Sequence, residues 1–221
     1  MKEELSFETD AAIITRLGRE LVAKQETALI ELVKNGFDAD ATKVDVVFEG
    51  SGEGAALEVR DNGSGMTRRE LVQGFMRLAS DLKVKTPRSP RFARQRSGRK
   101  GIGRFAAQRL GDRLVLTTRT KAAPAALRLR VDWRQFVHGR RLEDVRVNLD
   151  EVPTLNEHGT TIRIELLRDS WSEAQTKRCW RGVLALQSPS LSPRSSTRVM
   201  LIQASVYESC SPGVYSRTNT L

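Results

Sequence analysis

The sequence predicts a single helix-and-strand core of the α+β class, and three observations lead to it. The chain has 221 residues, enough for one sizeable core or for one core plus an appendage. Residues 28–41 read A-L-I-E-L-V-K-N-G-F-D-A-D-A, with Leu29, Ile30, Val33 and Phe37 at helical spacing. Further along, several runs alternate apolar and polar side chains with period two, which marks half-buried strands.

Taken in order, residues 1–10 are acidic and mixed, and 11–17 read as a short helical or extended lead-in. From Gly18 the apolar positions Leu21, Val22, Leu29, Ile30, Leu32, Val33 and Phe37 predict one long helix ending near Asp40. Residues 43–49 are β-branched and form a strand. A glycine-rich hairpin loop at 50–54 joins it to a second strand at 56–60, which runs straight into Asp61-Asn62-Gly63-Ser64-Gly65-Met66. Thr67 caps a helix whose apolar positions are Leu71, Val72, Phe75, Met76 and Leu78.

Periodicity then fails. Residues 83–99 hold Pro87, Pro90 and a basic residue every two or three positions, which predicts a mobile functional loop or a disordered one. The loop ends in Gly98-Arg99-Lys100-Gly101-Ile102-Gly103, where glycines lead into a helix at 104–110. Alternating strands follow at 113–120 and 125–133, with another candidate at 144–149 and a clear one at 159–166. Residues 171–186 read as a helix capped by Ser170 or Ser172. From 188 to 221 there are nine serines and three prolines, and only 198–206 is periodic, so this stretch is expected to be an irregular tail or the start of a further domain.

Composition narrows the class. No apolar run approaches the roughly 18 residues needed to cross a bilayer, and the start, Met1-Lys2-Glu3-Glu4, lacks the basic-then-apolar order of a secretory signal. Only Cys179 and Cys210 occur, far apart, so neither a disulfide framework nor a zinc site is expected, and the predicted setting is reducing and cytoplasmic. The net charge of +10 favours polyanions and keeps nucleic acid among the candidate partners. That charge is concentrated: between Lys83 and Arg109 there are ten Lys or Arg and no Asp or Glu.

Three groups of residues carry candidate chemistry. Glu31, Asn35 and Asp38 fall at i, i+4 and i+7 and share a helix face, although such a stripe alone is the usual solvated side of an amphipathic helix. Asp61 leads two glycines spaced by one residue, a turn that lets a planar ligand approach while the carboxylate accepts from an exocyclic amine; alone it is equally an ordinary Asx turn. The glycines before the helix at 104–110 offer backbone N–H groups to phosphate, with Lys100 and Arg104 adding charge. This is neither a dinucleotide fingerprint, since no strand leads into it, nor a P-loop, since no Gly-Lys-Ser/Thr follows.

In their order along the chain, Glu31-x-x-x-Asn35-x-x-Asp38-Ala39, Asp61-x-Gly63-x-Gly65-Met66, Gly98-x-x-Gly101-x-Gly103-x-Phe105 and Gly159-Thr160-Thr161 resemble the four motifs of the GHKL ATP-binding superfamily. Gyrase B, the heat-shock-ninety chaperones, histidine kinases and MutL proteins belong to that group. The resemblance spans about residues 10–170. It implies a two-layer α/β sandwich of the Bergerat type, with a mixed, mostly antiparallel sheet backed by helices and ATP between the layers, a lid at about 77–100, and a C-terminal helix at 171–187. It implies that Asn35 ligates Mg²⁺ and that Glu31 activates the attacking water. Asp61 would read the adenine amine, Gly65 and Thr160 would close the base pocket, Met66 would pack near the ring, and Gly63 and Asp38 would join the nucleotide-binding set. The phosphates would fall to Lys83 of the lid and to Gly98, Lys100, Gly101, Ile102, Gly103, Arg104 and Phe105.

Within the superfamily, Glu-Leu-Val-Lys-Asn-Gly-Phe-Asp-Ala resembles the hydrolysing branch, and Gly-Arg-Lys-Gly-Ile-Gly-Arg-Phe-Ala is most similar to bacterial heat-shock-ninety-like ATPases. The expected function is an Mg-ATP-binding and hydrolysing module whose lid closure drives a conformational or dimerisation step on a protein client or a further domain. Three rivals remain: a nucleotide-gated interaction module without efficient turnover, a histidine-kinase-like catalytic domain, and a basic nucleic-acid-binding protein with merely structural glycine loops. No phosphoacceptor histidine precedes the domain, because His138 and His158 both lie in later turns.

Overall fold

In the computed structural model, residues 4–50, 52, 54–77, 86–96, 103–153 and 158–185 are described, together with the backbone of strands at 201–207, 209–210 and 214–215. Two helices, α1 (Ile13–Leu21) and α2 (Gln25–Asp38), precede β1 (Lys43–Glu49) and β2 (Ala56–Asp61). A short α3 (Arg68–Leu71) follows, then α4 (Gly103–Leu110), β3 (Gly111–Arg119), β4 (Ala126–Asp132), β5 (Asn148–Val152), β6 (Gly159–Leu167) and α5 (Glu173–Ala185). The sheet order is β5-β4-β3-β6-β2-β1, antiparallel throughout, so the α+β fold with helices on one face of a mostly antiparallel sheet is the observed one. A further strand, β7 (Leu201–Tyr207), pairs in parallel with β1 at the edge and makes the sheet mixed.

Strand alternation decides which side is core. Val44, Val46 and Phe48 of β1, Leu57 and Val59 of β2, Leu114 and Leu116 of β3, Leu129 and Val131 of β4, and Ile164 of β6 all point to the helix layer and are buried. Against them α2 lays Ala28, Leu29, Leu32 and Val33, the apolar stripe read from the sequence. Each such Leu or Val contributes roughly 1.5–3 kcal/mol on leaving water. The helix α2 thus stands fixed between the sheet, α4 and α5.

Three boundaries differ from the sequence reading. The long helix expected from Gly18 to Asp40 is two helices, broken at residues 22–24. Neither Leu21 nor Val22 has an apolar partner three or four residues on; Val22 instead turns into the core, and the buried Gln25 donates through Nε2 to the Ser170 carbonyl at 3.1 Å. The helix after Thr67 is only one α turn, begun by a Thr67–Glu70 capping box, and passes at Val72–Met76 into a π turn around Gly74. The strand expected at 144–149 lies at Asn148–Val152, because Leu149 pairs opposite Leu129 on the core side while Leu142–Asp144 forms a 3₁₀ turn. The C-terminal helix α5 starts after Ser172, whose Oγ accepts from the Gln175 N–H.

Candidate functional site

The C-terminal half of α2, the end of β2 and its following loop, the end of β3 and the start of β6 converge at one end of the sheet. Gly36 allows the convergence: a Cβ there would stand 2.9 Å from Val44 Cγ2 and 3.1 Å from Asp61 Cβ, so only a glycine lets α2 lie this close to β2. Gly36 went unremarked in the sequence, where it reads as a weak point in a helix.

Asp61 is the electrostatic centre. Burial pushes its carboxyl up to about 6, against backbone N–H hydrogen bonds from Gly63 and Thr160 that lower it. The Gly63 bond to Oδ1 is 2.8 Å long. Next to it Asn62 fixes the loop through its side chain, accepting from the N–H groups of Thr42 and Lys43 and donating to Thr42 Oγ1. Gly65 has φ 66, and a Cβ there would meet the Arg119 carbonyl at 2.0 Å, so the loop lies flat on the end of β3.

Thr118 joins these pieces, and sequence reasoning missed it. Its Oγ1 accepts from the Met66 N–H at 2.9 Å and lies 3.0 Å from Thr160 Oγ1 and 3.2 Å from the Gly159 carbonyl. Both threonines are buried. A threonine in an alternating strand reads as an ordinary β-former; its inward parity beside Leu114 and Leu116 is the one signal that would have singled it out.

Glu31, Asn35 and Asp38 lie along α2 beside this centre, with Asp38 buried and the other two partly exposed. The Glu31 carboxylate is ion-paired with Lys34 Nζ at 2.7 Å. Gly103, Arg104 and Phe105 form the first turn of α4, their side chains being outside the described residues; Lys83, Gly98, Lys100, Gly101 and Ile102 also lie outside them. Of the histidines, His138 is exposed beside Asp10 and His158 immediately precedes β6. Within the loop read as structureless, residues 86–96 form a closed turn held against the end of α2.

A cavity of about 190 Å³ opens at the same end of the sheet, but on its other face. It shares Asp61, Asn62, Gly159 and Thr160 with the site, while Lys43, Asp45, Arg60, Thr117 and Thr161 come from the outward side of their strands and α2 contributes nothing. It is the back of the site. Chemistry that uses Glu31 and Asn35 must occur on the helix side.

The described residues include no cluster of three or more His, Cys, Asp or Glu able to hold a metal alone, and no helix long and apolar enough to cross a membrane.

Residues 23–160 match the family of histidine kinase-, DNA gyrase B- and HSP90-like ATPases, and the chain belongs to that family. Among individual proteins it is similar to the DNA mismatch repair protein MutL of Azorhizobium caulinodans, 35% identical over 51% of this chain and 17% of the relative. The MutL of Aliivibrio fischeri is 32% identical over 66% of this chain and 20% of the relative, and that of a Bradyrhizobium species 27% identical over 81% and 28%. The chain thus spans less than a third of the length of these relatives. The crystal structure of the N-terminal domain of a DNA repair protein shares the fold, with a TM-score of 0.53, 19% identity, and coverage of 97% of this chain and 58% of that one. The heat-shock-ninety-like similarity read from Gly98 to Ala106 is corrected by these relatives, which are mismatch-repair proteins.

Proposed function

We propose that this chain is an ATPase module that binds Mg-ATP on the helix side of the sheet, hydrolyses it, and passes the bound state to a neighbouring domain or a second copy. The observation that carries the proposal is the placement of Asp61: a partly buried carboxylate held by the Gly63 and Thr160 N–H groups where α2, β2 and β6 converge, with burial pushing its pKa up to about 6. The exocyclic amine of adenine is a donor of the required kind, and Gly65, Met66 and Thr160 stand around the same point.

Asn35 would hold Mg²⁺ through its side-chain oxygen, sharing the ion with phosphate oxygens. When bound, the ion neutralises charge developing on the transferred phosphoryl group. Glu31, one turn earlier, orients a water and takes its proton, for which its carboxylate must leave Lys34 or act while paired. Lys83, Lys100 and the glycines from Gly98 to Gly103 are proposed phosphate contacts on the strength of the motif order, and Asp38 a nucleotide-binding residue. The names of the relatives support a setting in DNA repair, with nucleic acid as a secondary partner and dimerisation as one output.

The Lys34–Glu31 pair favours one second reading, a nucleotide-gated module with little turnover, because Lys34 Nζ occupies the Glu31 oxygen that would otherwise accept from a water. The decisive experiment is Mg-ATP binding together with single-turnover hydrolysis in wild type and Glu31→Ala. Hydrolysis falling by at least about a hundredfold, with affinity kept within a few fold, assigns Glu31 as the base. Binding without hydrolysis in both proteins supports the gated module, and failure of the folded wild type to bind ATP removes both.

A further inference from the structure

Four of the arginines in the basic stretch lie in 86–96, inside the segment expected to be the ATP lid, and none of them is among the residues assigned to the phosphates. This segment closes on itself. The Ser89 N–H donates to the Arg94 carbonyl at 2.9 Å, the Arg94 N–H to Ser89 Oγ at 2.9 Å, and the Arg96 N–H to the Pro87 carbonyl at 2.8 Å.

The closed turn sits on the C-terminal end of α2 and the residues just beyond it, where the Phe37 carbonyl already accepts from the Asp40 N–H at 3.1 Å and the negative end of the helix dipole lies. Arg94 Nη1 donates to the Ala41 carbonyl at 2.6 Å and the Phe37 carbonyl at 3.3 Å, and Arg96 Nε donates to the Asp38 carbonyl at 3.3 Å. The Arg94 guanidinium also stacks 4.5 Å from the Phe37 ring centre and 4.8 Å from that of Phe92. Asp40, at φ 62, binds the turn from the helix side: its carboxylate accepts from the Ser89 hydroxyl, the Arg91 N–H at 2.8 Å and the Phe92 N–H at 3.2 Å. Asp40, Ser89 and Arg94 are at most 5% exposed. Burying an acid and a base this deeply is unfavourable unless each is paired with other groups, as the contacts of the Asp40 carboxylate and of Arg94 Nη1 pair them here.

We propose that residues 86–96 are a cap in trans for α2, with Asp40 and Arg94 as positioning residues for the nucleotide-binding helix; this rests on the ATP reading of Glu31, Asn35 and Asp38. The last turn of α2 is gripped from two sides, by Asp61 at Gly36 and by Arg94 and Arg96 at the carbonyls of Phe37 and Asp38. Releasing the cap lets that turn move relative to Asp61, which separates the adenine-reading carboxylate from Asn35. The cap also turns Arg94 and Arg96 inward, so neither serves a polyanion.

The test uses the full 221-residue chain with Asp40→Asn, Arg94→Lys and the milder Ser89→Ala, reading amide exchange in 86–96 and 37–41 alongside Mg-ATP affinity and turnover of bound nucleotide. Lysine keeps the charge of Arg94 but cannot bridge two carbonyls while stacking. Both stronger variants are expected to speed exchange in the two segments alone and to raise the Kd roughly tenfold with turnover unchanged. Ser89→Ala shifts both readouts in the same direction by less, which decides the matter if a stronger variant fails to fold. Faster exchange with wild-type affinity makes the cluster purely structural and overturns the proposal, as does unchanged exchange. Failure of the wild type to bind Mg-ATP defeats the ATP reading instead, and is recognisable because the exchange effects persist.

Discussion

The two faces of the sheet use polar residues in opposite ways. On the helix side the strands present apolar side chains except at one end, where Asp61 is partly buried, Thr118 and Thr160 are buried, and the three are bonded through one another's backbone or side chains. On the outer side charges alternate and pair, along a strand for Arg60 with Glu58 and Lys43 with Asp45 at 2.9 Å, and between strands for Arg130 with Asp150 and Arg163 with Glu49 at 2.8 Å. Far more charge lies outside, yet the three inner polar residues say more about function. An exposed pair can be exchanged for water at little cost, whereas a buried polar group persists only where a partner or a ligand requires it.

The largest effect should come from Asp61. Asp61→Asn keeps an acceptor for the Gly63 N–H but removes the charge, and Mg-ATP affinity should fall by at least about a hundredfold, equivalent to roughly 3 kcal/mol. Its effect on stability has the opposite sign. Between the ordinary 3.8 and about 6 the folded state retains a proton that the unfolded chain has lost, so stability falls as pH rises through that window and the full penalty applies above it. Chemical denaturation should therefore show the variant more stable than wild type at pH 8, by up to about 3 kcal/mol, with the gain shrinking towards pH 4. A gain that grew with acidity would contradict the burial argument.

Thr118→Val sharpens the contrast without changing shape. The Met66 N–H loses its acceptor and the Thr160 hydroxyl a neighbour. The expected cost is about 1–3 kcal/mol of folding stability, with a roughly tenfold weaker Mg-ATP affinity by titration calorimetry. Stability loss with unaltered affinity would make Thr118 an ordinary core residue.

These inner residues differ in how far they could be read before folding. Asp61 is visible because two glycines and a preceding strand surround it within a few positions, and the apolar stripe of α2 is visible because helical periodicity is local. Thr118 is not, since its meaning depends on residues 42 and 52 positions away. The break at residues 22–24 and the turn at 86–96 were obscured for the same reason: Gln25 answers to Ser170, and Ser89 and Arg94 answer to the end of α2. A basic, proline-bearing run looks solvated until the carbonyls that its arginines cap are known.

The outer face supplies the smallest expected effect. Arg163 is the best connected of its cations, reaching Glu49 at 2.8 Å, Glu165 at 3.3 Å and Glu58 at 3.7 Å, and the Glu49 hydrogen bond is the main cause of its raised pKa. Its side chain is nonetheless 32% exposed, so solvent screens every one of these pairs. Arg163→Ala should cost less than about 1 kcal/mol in denaturant unfolding, with the difference fading at high salt and Mg-ATP affinity unchanged. Arg163 lies on β6 three residues beyond Thr160 and points to the opposite face. A loss of nucleotide affinity on its removal would therefore mean that the sheet transmits strain between its faces, and the separation drawn between them would fail.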